Sequence, residues 1–120
     1  MNYTDIFIQC NQQDIQNLVQ QVFMQNGFSV QWFHPNAGKA KKGSEKMNIV
    51  FGAFSQYYEI DFQILNMPDR SLAVRLIKSN SGWWGGIIGA HNVEKQFKSV
   101  VDMLSNYFIG IGVFRGRNPP

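Results

Sequence analysis

The sequence predicts a single α+β domain with strands and helices in the order β-α-β(4)-α. Its 120 residues suit one domain. Alternating apolar and polar residues from about Phe54 to Leu65 are typical of a half-buried strand, and apolar residues recur at helical spacing near both ends of the chain. We expect an antiparallel sheet with two helices packed on one face. Residues 1–108 should form the domain and 109–120 a tail, with a short strand and then a frayed end.

The first strand and helix are predicted from residues 3–27. Aromatic and β-branched side chains over residues 3–9 favour a strand. Asn11 is then the predicted N-cap of a helix, and Gly27 ends it in a left-handed conformation. Between them, apolar residues follow the stripe of an amphipathic helix: Ile15, Leu18, Val19, Val22 and Phe23.

Four strands are predicted next, at Phe28–His34, Met47–Phe51, Phe54–Leu65 and Ser71–Lys78. The small, polar and glycine-bearing segment Asn36–Lys46 is interpreted as a loop. In the strand Phe54–Leu65, one face carries Gln56, Tyr58, Ile60, Phe62 and Ile64, and the other carries Tyr57, Glu59, Asp61 and Gln63.

The last two of these strands should form a hairpin around a turn at residues 66–70. Counting outward from that turn places Phe62 opposite Val74. The same count sets Asp61 opposite Arg75, an acid facing a base. A glycine-rich connection, residues 79–91, then leads to a helix at about Asn92–Tyr107 with an apolar stripe.

Composition limits the class of protein. Apolar residues make up 44% of the chain and charged residues 16%, with a net charge of +3, which argues against a disordered chain. A single cysteine, Cys10, excludes an intrachain disulfide, and no apolar stretch reaches the roughly 18 residues of a membrane helix. The first 12 residues lack the pattern of a signal peptide, so we expect a cytoplasmic location.

Cofactor and metal sites are not expected. Cys10, His34 and His91 are too scattered for metal-ligand spacing, and Ala90-His91 follows Gly89 where a phosphate-binding loop needs Lys-Ser or Lys-Thr. Cys10 lies at the start of the first predicted helix. That position leaves a nucleophilic thiol open as a minor hypothesis.

The element order resembles the TATA-binding-protein-like fold over about residues 3–108. The glycine-rich segment Gly85–Ala90, followed by Glu94-Lys95-Gln96-Phe97, is similar to a feature of small bacterial proteins of unassigned activity. The resemblance implies a fold that includes DNA binders and lipid-binding kinase-tail domains. Glu59 and Asp61 are expected on the face that DNA would contact, and their charge disfavours nucleic-acid binding.

Two segments are candidate binding sites. Four lysines, Lys39, Lys41, Lys42 and Lys46, could contact anionic lipid headgroups, or could form only a solvated loop. Trp83 and Trp84 are adjacent in the glycine-rich connection, where they either cap the core or contact a partner or a membrane surface.

The sheet face opposite the helices is the third candidate. If Ile6, Val30, Ile49, Ile60 and Val74 face the helices, an apolar set remains on the other side: Phe7, Phe33, Val50 and Tyr57. A homodimer would cover that set. The main hypothesis is therefore a non-catalytic binding or interaction domain. A lipid-surface binder and a small enzyme using Glu59 and Asp61 are the alternatives.

Overall fold

The computed structural model describes residues 2–42, 58–78 and 89–120. The elements in chain order are β1 (Tyr3–Ile8), α1 (Ile15–Gln25), β2 (Phe28–His34), β3 (Ala37–Lys42), β4 (Tyr58–Asn66), β5 (Leu72–Lys78), α2 (Gly89–Gly110) and β6 (Phe114–Asn118). The strands form one antiparallel sheet in the order β2-β3-β4-β5-β1-β6. The α+β class and the predicted order are confirmed, with a further strand after the last helix.

The core lies between the two helices and one face of the sheet. Helix α1 contributes its predicted stripe, with Ile15, Val19, Val22 and Phe23 buried. Helix α2 contributes Phe97, Val100, Val101, Leu104 and Phe108. Alternate residues of the strands complete this cluster: Ile6, Ile8, Phe28, Ala40, Tyr58, Ile60, Phe62, Ile64, Leu72, Val74 and Leu76. Period-2 alternation in the strands and a helical stripe in each helix thus meet in one apolar layer.

The ends of α1 differ in how well the sequence predicted them. The helix begins one turn later than an Asn11 N-cap requires, because Asp14 is the N-cap residue and its amide donates to the Asn11 carbonyl in a preceding turn. The Asn11 assignment was wrong. Gly27 has φ +86° and its amide donates to the Met24 carbonyl, which confirms the predicted left-handed end.

Strand β3 corrects the loop assigned to Asn36–Lys46, because residues 37–42 are paired on both sides, with β2 and with β4. Gly38 shows why a glycine is found within this strand. A Cβ there would lie 2.5 Å from the carbonyl oxygen of Gln31 and 2.7 Å from Cζ of Phe62. The glycine makes room for a core ring. The predicted strand Met47–Phe51 and residues 54–57 lie outside the described residues.

The β4–β5 hairpin has a different register from the predicted one. Asn66 pairs with Leu72, and the turn comprises residues 67–71, where the Met67 amide donates to the Ser71 carbonyl and Arg70 adopts φ +71°. The turn therefore lies one residue later, and each cross-strand pair moves by two. A shift of two leaves every side chain on its predicted face but changes its partner.

The segment after the core helix also departs from the prediction. Helix α2 extends to Gly110, and Gly112 (φ +82°) turns the chain so that the Val113 amide donates to the Phe108 carbonyl. The strand of the tail is therefore β6, within the part expected to be frayed. It pairs with β1 at the sheet edge.

Candidate functional site

The helix-free face is the name used here for the sheet surface opposite the core. It is formed by the residues that alternate with the core residues in the described strands: Tyr3, Asp5, Phe7, Ser29, Gln31, Lys39, Lys41, Glu59, Asp61, Gln63, Leu65, Ala73, Arg75 and Ile77. Strand register sorts these side chains into rows that cross the sheet. The rows differ in chemistry from one end of the strands to the other.

An apolar row lies at the end of the face near the β4–β5 turn. Phe7 is opposite Ala73 in β1 and β5, and Ala73 is opposite Leu65 in β5 and β4. Phe7 and Leu65 are partly exposed and lie outside the buried core cluster. Phe33 is 58% exposed at the irregular end of β2. Of the set predicted for this face, Val50 and Tyr57 lie outside the described residues.

The middle of the face carries an ion-pair cluster around Lys39. Its Nζ lies 3.0 Å from Oε1 of Glu59 and 3.8 Å from Oδ1 of Asp61. The Glu59 side chain is only 10% exposed. The hydrogen bond with Glu59 raises the pKa of Lys39 from its ordinary value, with partial burial acting against it. The two acids predicted as a catalytic pair therefore share one cation.

Arg75 forms the second charged group of the face, and its partner is Asp5. Nε and Nη2 of Arg75 donate to the two carboxylate oxygens of Asp5 at 2.8 and 3.0 Å. The guanidinium carbon also lies 4.0 Å from the centre of the Tyr3 ring. The predicted pair of Asp61 with Arg75 was wrong, because the register sets Arg75 opposite Gln63.

The three described lysines of the predicted basic loop do not form one patch. Lys39 and Lys41 alternate with Lys42 along β3, so Lys42 lies on the core side, where its Nζ is 5.6 Å from the centre of the Phe28 ring. Lys39 and Lys41 are the two of these lysines on the helix-free face. Since Lys39 is paired with acids, Lys41 is the one that remains for a partner. Lys46, Trp83 and Trp84 lie outside the described residues.

The thiol and imidazole candidates are not brought together. Cys10 is half-buried, and burial, followed by the negative charge of Asp14, raises the pKa of its thiol, which works against thiolate formation. Nδ1 of His34 accepts a hydrogen bond from the Asn36 amide at 3.3 Å. Among the residues that the structure describes, no three metal-binding side chains lie close enough to hold an ion.

A cleft opens beyond the apolar row, at the end of the sheet, and measures about 570 Å³. The C-terminal end of β1, the β4–β5 turn and the start of β6 border it. Its lining residues are Phe7, Gln9, Met67, Pro68, Asp69, Ser71 and Arg115. Sequence reasoning named Phe7 but missed Met67, Asp69 and Arg115. The Pro68-Asp69 pair marked a turn, and nothing in the sequence linked that turn to the tail.

Comparison with protein-family models found none that matches this chain, and comparison with curated proteins found no similar sequence. No helix within the described ranges is long and apolar enough to cross a membrane. The fold and its surfaces therefore carry the argument about function.

Proposed function

We propose that this chain is a non-catalytic interaction domain whose helix-free face binds a second copy of the chain. One observation carries the proposal. The charged residues Lys39 and Arg75 are paired with acids of the same face, while Phe7 and Leu65, on either side of the fully buried Ala73, are partly exposed and covered by neither α1 nor α2.

The pairing of charges lowers the cost of covering this face. An unpaired charge that loses its water on association opposes binding by roughly several kcal/mol. An ion pair that is already hydrogen-bonded has a smaller desolvation cost, because its charges are already partly removed from water. The Arg75–Asp5 pair is bidentate, and the Asp5 side chain is only 12% exposed before any partner binds. Much of its desolvation has therefore taken place during folding.

A second copy is the favoured occupant because a two-fold contact brings the same surface from both subunits. The apolar row of one subunit can then pack on that of the other, which removes apolar surface from water at both sites. The charges of this face balance, because Lys39, Lys41 and Arg75 carry three positive charges and Asp5, Glu59 and Asp61 carry three negative ones.

Other proposals have less support. Acid–base catalysis by Glu59 and Asp61 has less support because both carboxylates lie within 4 Å of the same lysine and neither lines the cleft at the end of the sheet. A lipid surface would need several unpaired lysines on one side. A TATA-binding-protein-like kinship and a cytoplasmic location also stay proposals.

Sedimentation velocity over a series of protein concentrations tests the dimer. The wild-type chain should shift from monomer to dimer as its concentration rises, and Leu65→Gln should weaken that shift. Met24→Gln is the matched control, because Met24 is an exposed aliphatic residue of α1 that lies far from the helix-free face in the fold and outside the core cluster. A wild-type chain that stays monomeric, or two variants that weaken association equally, would overturn the proposal.

A further inference from the structure

The cleft at the end of the sheet is lined by Arg115, which differs from Arg75 and Arg117 in its ion pairing. Arg75 is bound to Asp5, and Arg117 donates to Asp102 at 2.8 Å. Arg115 has no carboxylate within 4 Å among the described residues. Its Nη1 donates to the carbonyl oxygen of Phe114, the preceding residue. Most of its five N–H donors are therefore available to a bound anion.

An acidic group also lines the cleft. The Ser71 amide and hydroxyl both donate to Oδ1 of Asp69, at 3.0 and 2.5 Å, while Oδ2 accepts no hydrogen bond from the described residues. The two bonds orient the carboxylate and lower its pKa below its ordinary value, chiefly through the serine hydroxyl. The free oxygen can accept from an ammonium group.

Apolar side chains also line the cleft. Phe7, Met67 and Pro68 line the cleft and take no part in the buried core cluster. The volume of about 570 Å³ falls within the range of small-molecule sites. The cleft thus combines an arginine without a carboxylate partner, a carboxylate with one free oxygen, and an apolar surface.

We propose that this cleft binds a small zwitterion with an apolar side chain, an amino acid or a short peptide. Arg115 holds the carboxylate, Asp69 holds the ammonium group, and the side chain packs against Phe7, Met67 and Pro68. Arg115 and Asp69, the charged groups of this site, do not belong to the helix-free face that forms the proposed dimer contact. Its test therefore uses Arg115 and Asp69 and leaves Phe7, which both surfaces share, unchanged.

The experiment is a titration of the full ¹⁵N-labelled chain with L-leucine, N-acetyl-L-leucine and L-leucinamide, followed by amide chemical shifts. Leucine should give saturable shifts at the residues of the cleft. The acetylated compound lacks the ammonium group and leucinamide lacks the carboxylate. Each should therefore bind at least about tenfold more weakly, in line with the loss of one charge-assisted hydrogen bond.

Variants separate the two charged groups. Arg115→Gln should weaken leucine binding by at least about tenfold and leave leucinamide binding little changed. Asp69→Asn should also weaken leucine binding by at least about tenfold, and it should leave N-acetylleucine binding little changed. Arg70→Gln is the control, because Arg70 has no ion pair among the described residues and does not line the cleft. No saturable shift with leucine, equal affinity for the three compounds, or an equal effect of Arg70→Gln would overturn the site. Sedimentation of the same variants reports on the dimer separately.

Discussion

Alternate residues of β4 meet two different environments, although they are adjacent in the chain. Ile60 and Phe62 point toward the helices and are 0% and 1% exposed. Glu59 and Asp61 point the other way and bind Lys39 of the neighbouring strand. One side of the strand is held by packing without polar partners, and the other by charges that must be paired wherever water is excluded.

The difference suggests that the core side of the sheet determines stability, whereas the helix-free face takes part in association. Loss of a core side chain leaves a cavity that the surrounding atoms fill only in part. A change at a partly exposed residue of the helix-free face, such as Leu65, borders solvent and can relax. Substitutions on the core side should therefore change the free energy of unfolding, and those at partly exposed apolar residues of the helix-free face should change association more than stability.

Phe62→Ala is expected to have the largest effect. The ring is stacked on Phe23 at 5.6 Å and meets Trp32 edge to face at 5.0 Å, so its removal breaks contacts with α1 and β2 together. We expect a loss of about 3–5 kcal/mol in the free energy of unfolding. Urea denaturation followed by circular dichroism measures it.

Leu65→Ala, three residues along the same strand, is the comparison for Phe62→Ala. Leu65 lies on the helix-free face and outside the core cluster, so its loss should cost about 1 kcal/mol or less. Equal destabilisation by the two substitutions would contradict the division between the faces.

Gly38→Ala is the second prediction. It tests the core side by adding a side-chain atom, whereas Phe62→Ala removes a ring. The added Cβ would overlap the Gln31 carbonyl and the Phe62 ring, so that backbone or ring must move. We expect destabilisation by about 3 kcal/mol, at the upper end for overpacking. The measurement is thermal and urea unfolding of the purified variant.

Gly110→Ala is the control for the glycine effect. A Cβ at Gly110, the last residue of α2, would meet no atom within 4 Å. Alanine there should leave stability unchanged or raise it by up to about 1 kcal/mol, because it favours the helix. A destabilised Gly110→Ala variant would show that loss of glycine as such, and not the contact with Phe62, explains the result at Gly38.

The core side of the sheet was largely predictable, because alternation over residues 58–65 and helical stripes in both helices each report which side chains are buried. Strand β3 was not. Its sequence, Ala-Gly-Lys-Ala-Lys-Lys, has none of the β-branched or aromatic residues that signal a strand. Pairing with β2 on one side and β4 on the other overrides that local preference. The sequence shows neither neighbour.

The sequence predicted which side chains lie on the helix-free face, but it did not predict the ion pairs that they form. The turn at 67–71 lies one residue later than the sequence pattern suggested, and this shift sets Gln63 in place of Asp61 opposite Arg75. Asp5 lies 70 residues away in the chain, so the ion pair depends on β1 lying beside β5. The cleft depends in the same way on β6 lying next to β1. Nothing local to Arg115 signals that arrangement.

The Arg75–Asp5 pair gives the third prediction. A double-mutant cycle with Asp5→Ala, Arg75→Ala and the double variant should give a coupling energy of about 1–2 kcal/mol, since both groups are partly buried and two charge-assisted bonds join them. Urea denaturation of the four proteins provides the energies. The same cycle on Asp61 and Arg75 should show weaker coupling, and the reverse order would restore the pairing that the sequence suggested.

The smallest expected effect concerns a charge pair at the rim of the core side. Arg117 of β6 donates to Asp102 of α2 at 2.8 Å. This hydrogen bond lowers the pKa of Asp102 below its ordinary value, with slight burial opposing it and Lys98 adding to it. A lowered folded-state pKa stabilises the fold above the unfolded value of about 4, and this contribution is lost as the pH falls through the folded value.

Asp102→Asn should therefore remove part of the acid sensitivity of the wild-type chain. Because the Asp102 side chain is 40% exposed, solvent screening limits the difference to about 1 kcal/mol or less. Urea unfolding between about pH 2 and pH 7 should show the stability advantage of the wild type over Asp102→Asn shrinking as the pH falls. Arg117→Gln should reduce the same slope, because it removes the main donor to that carboxylate. Parallel stability curves for the wild type and Asp102→Asn would show that this ion pair does not couple folding to pH.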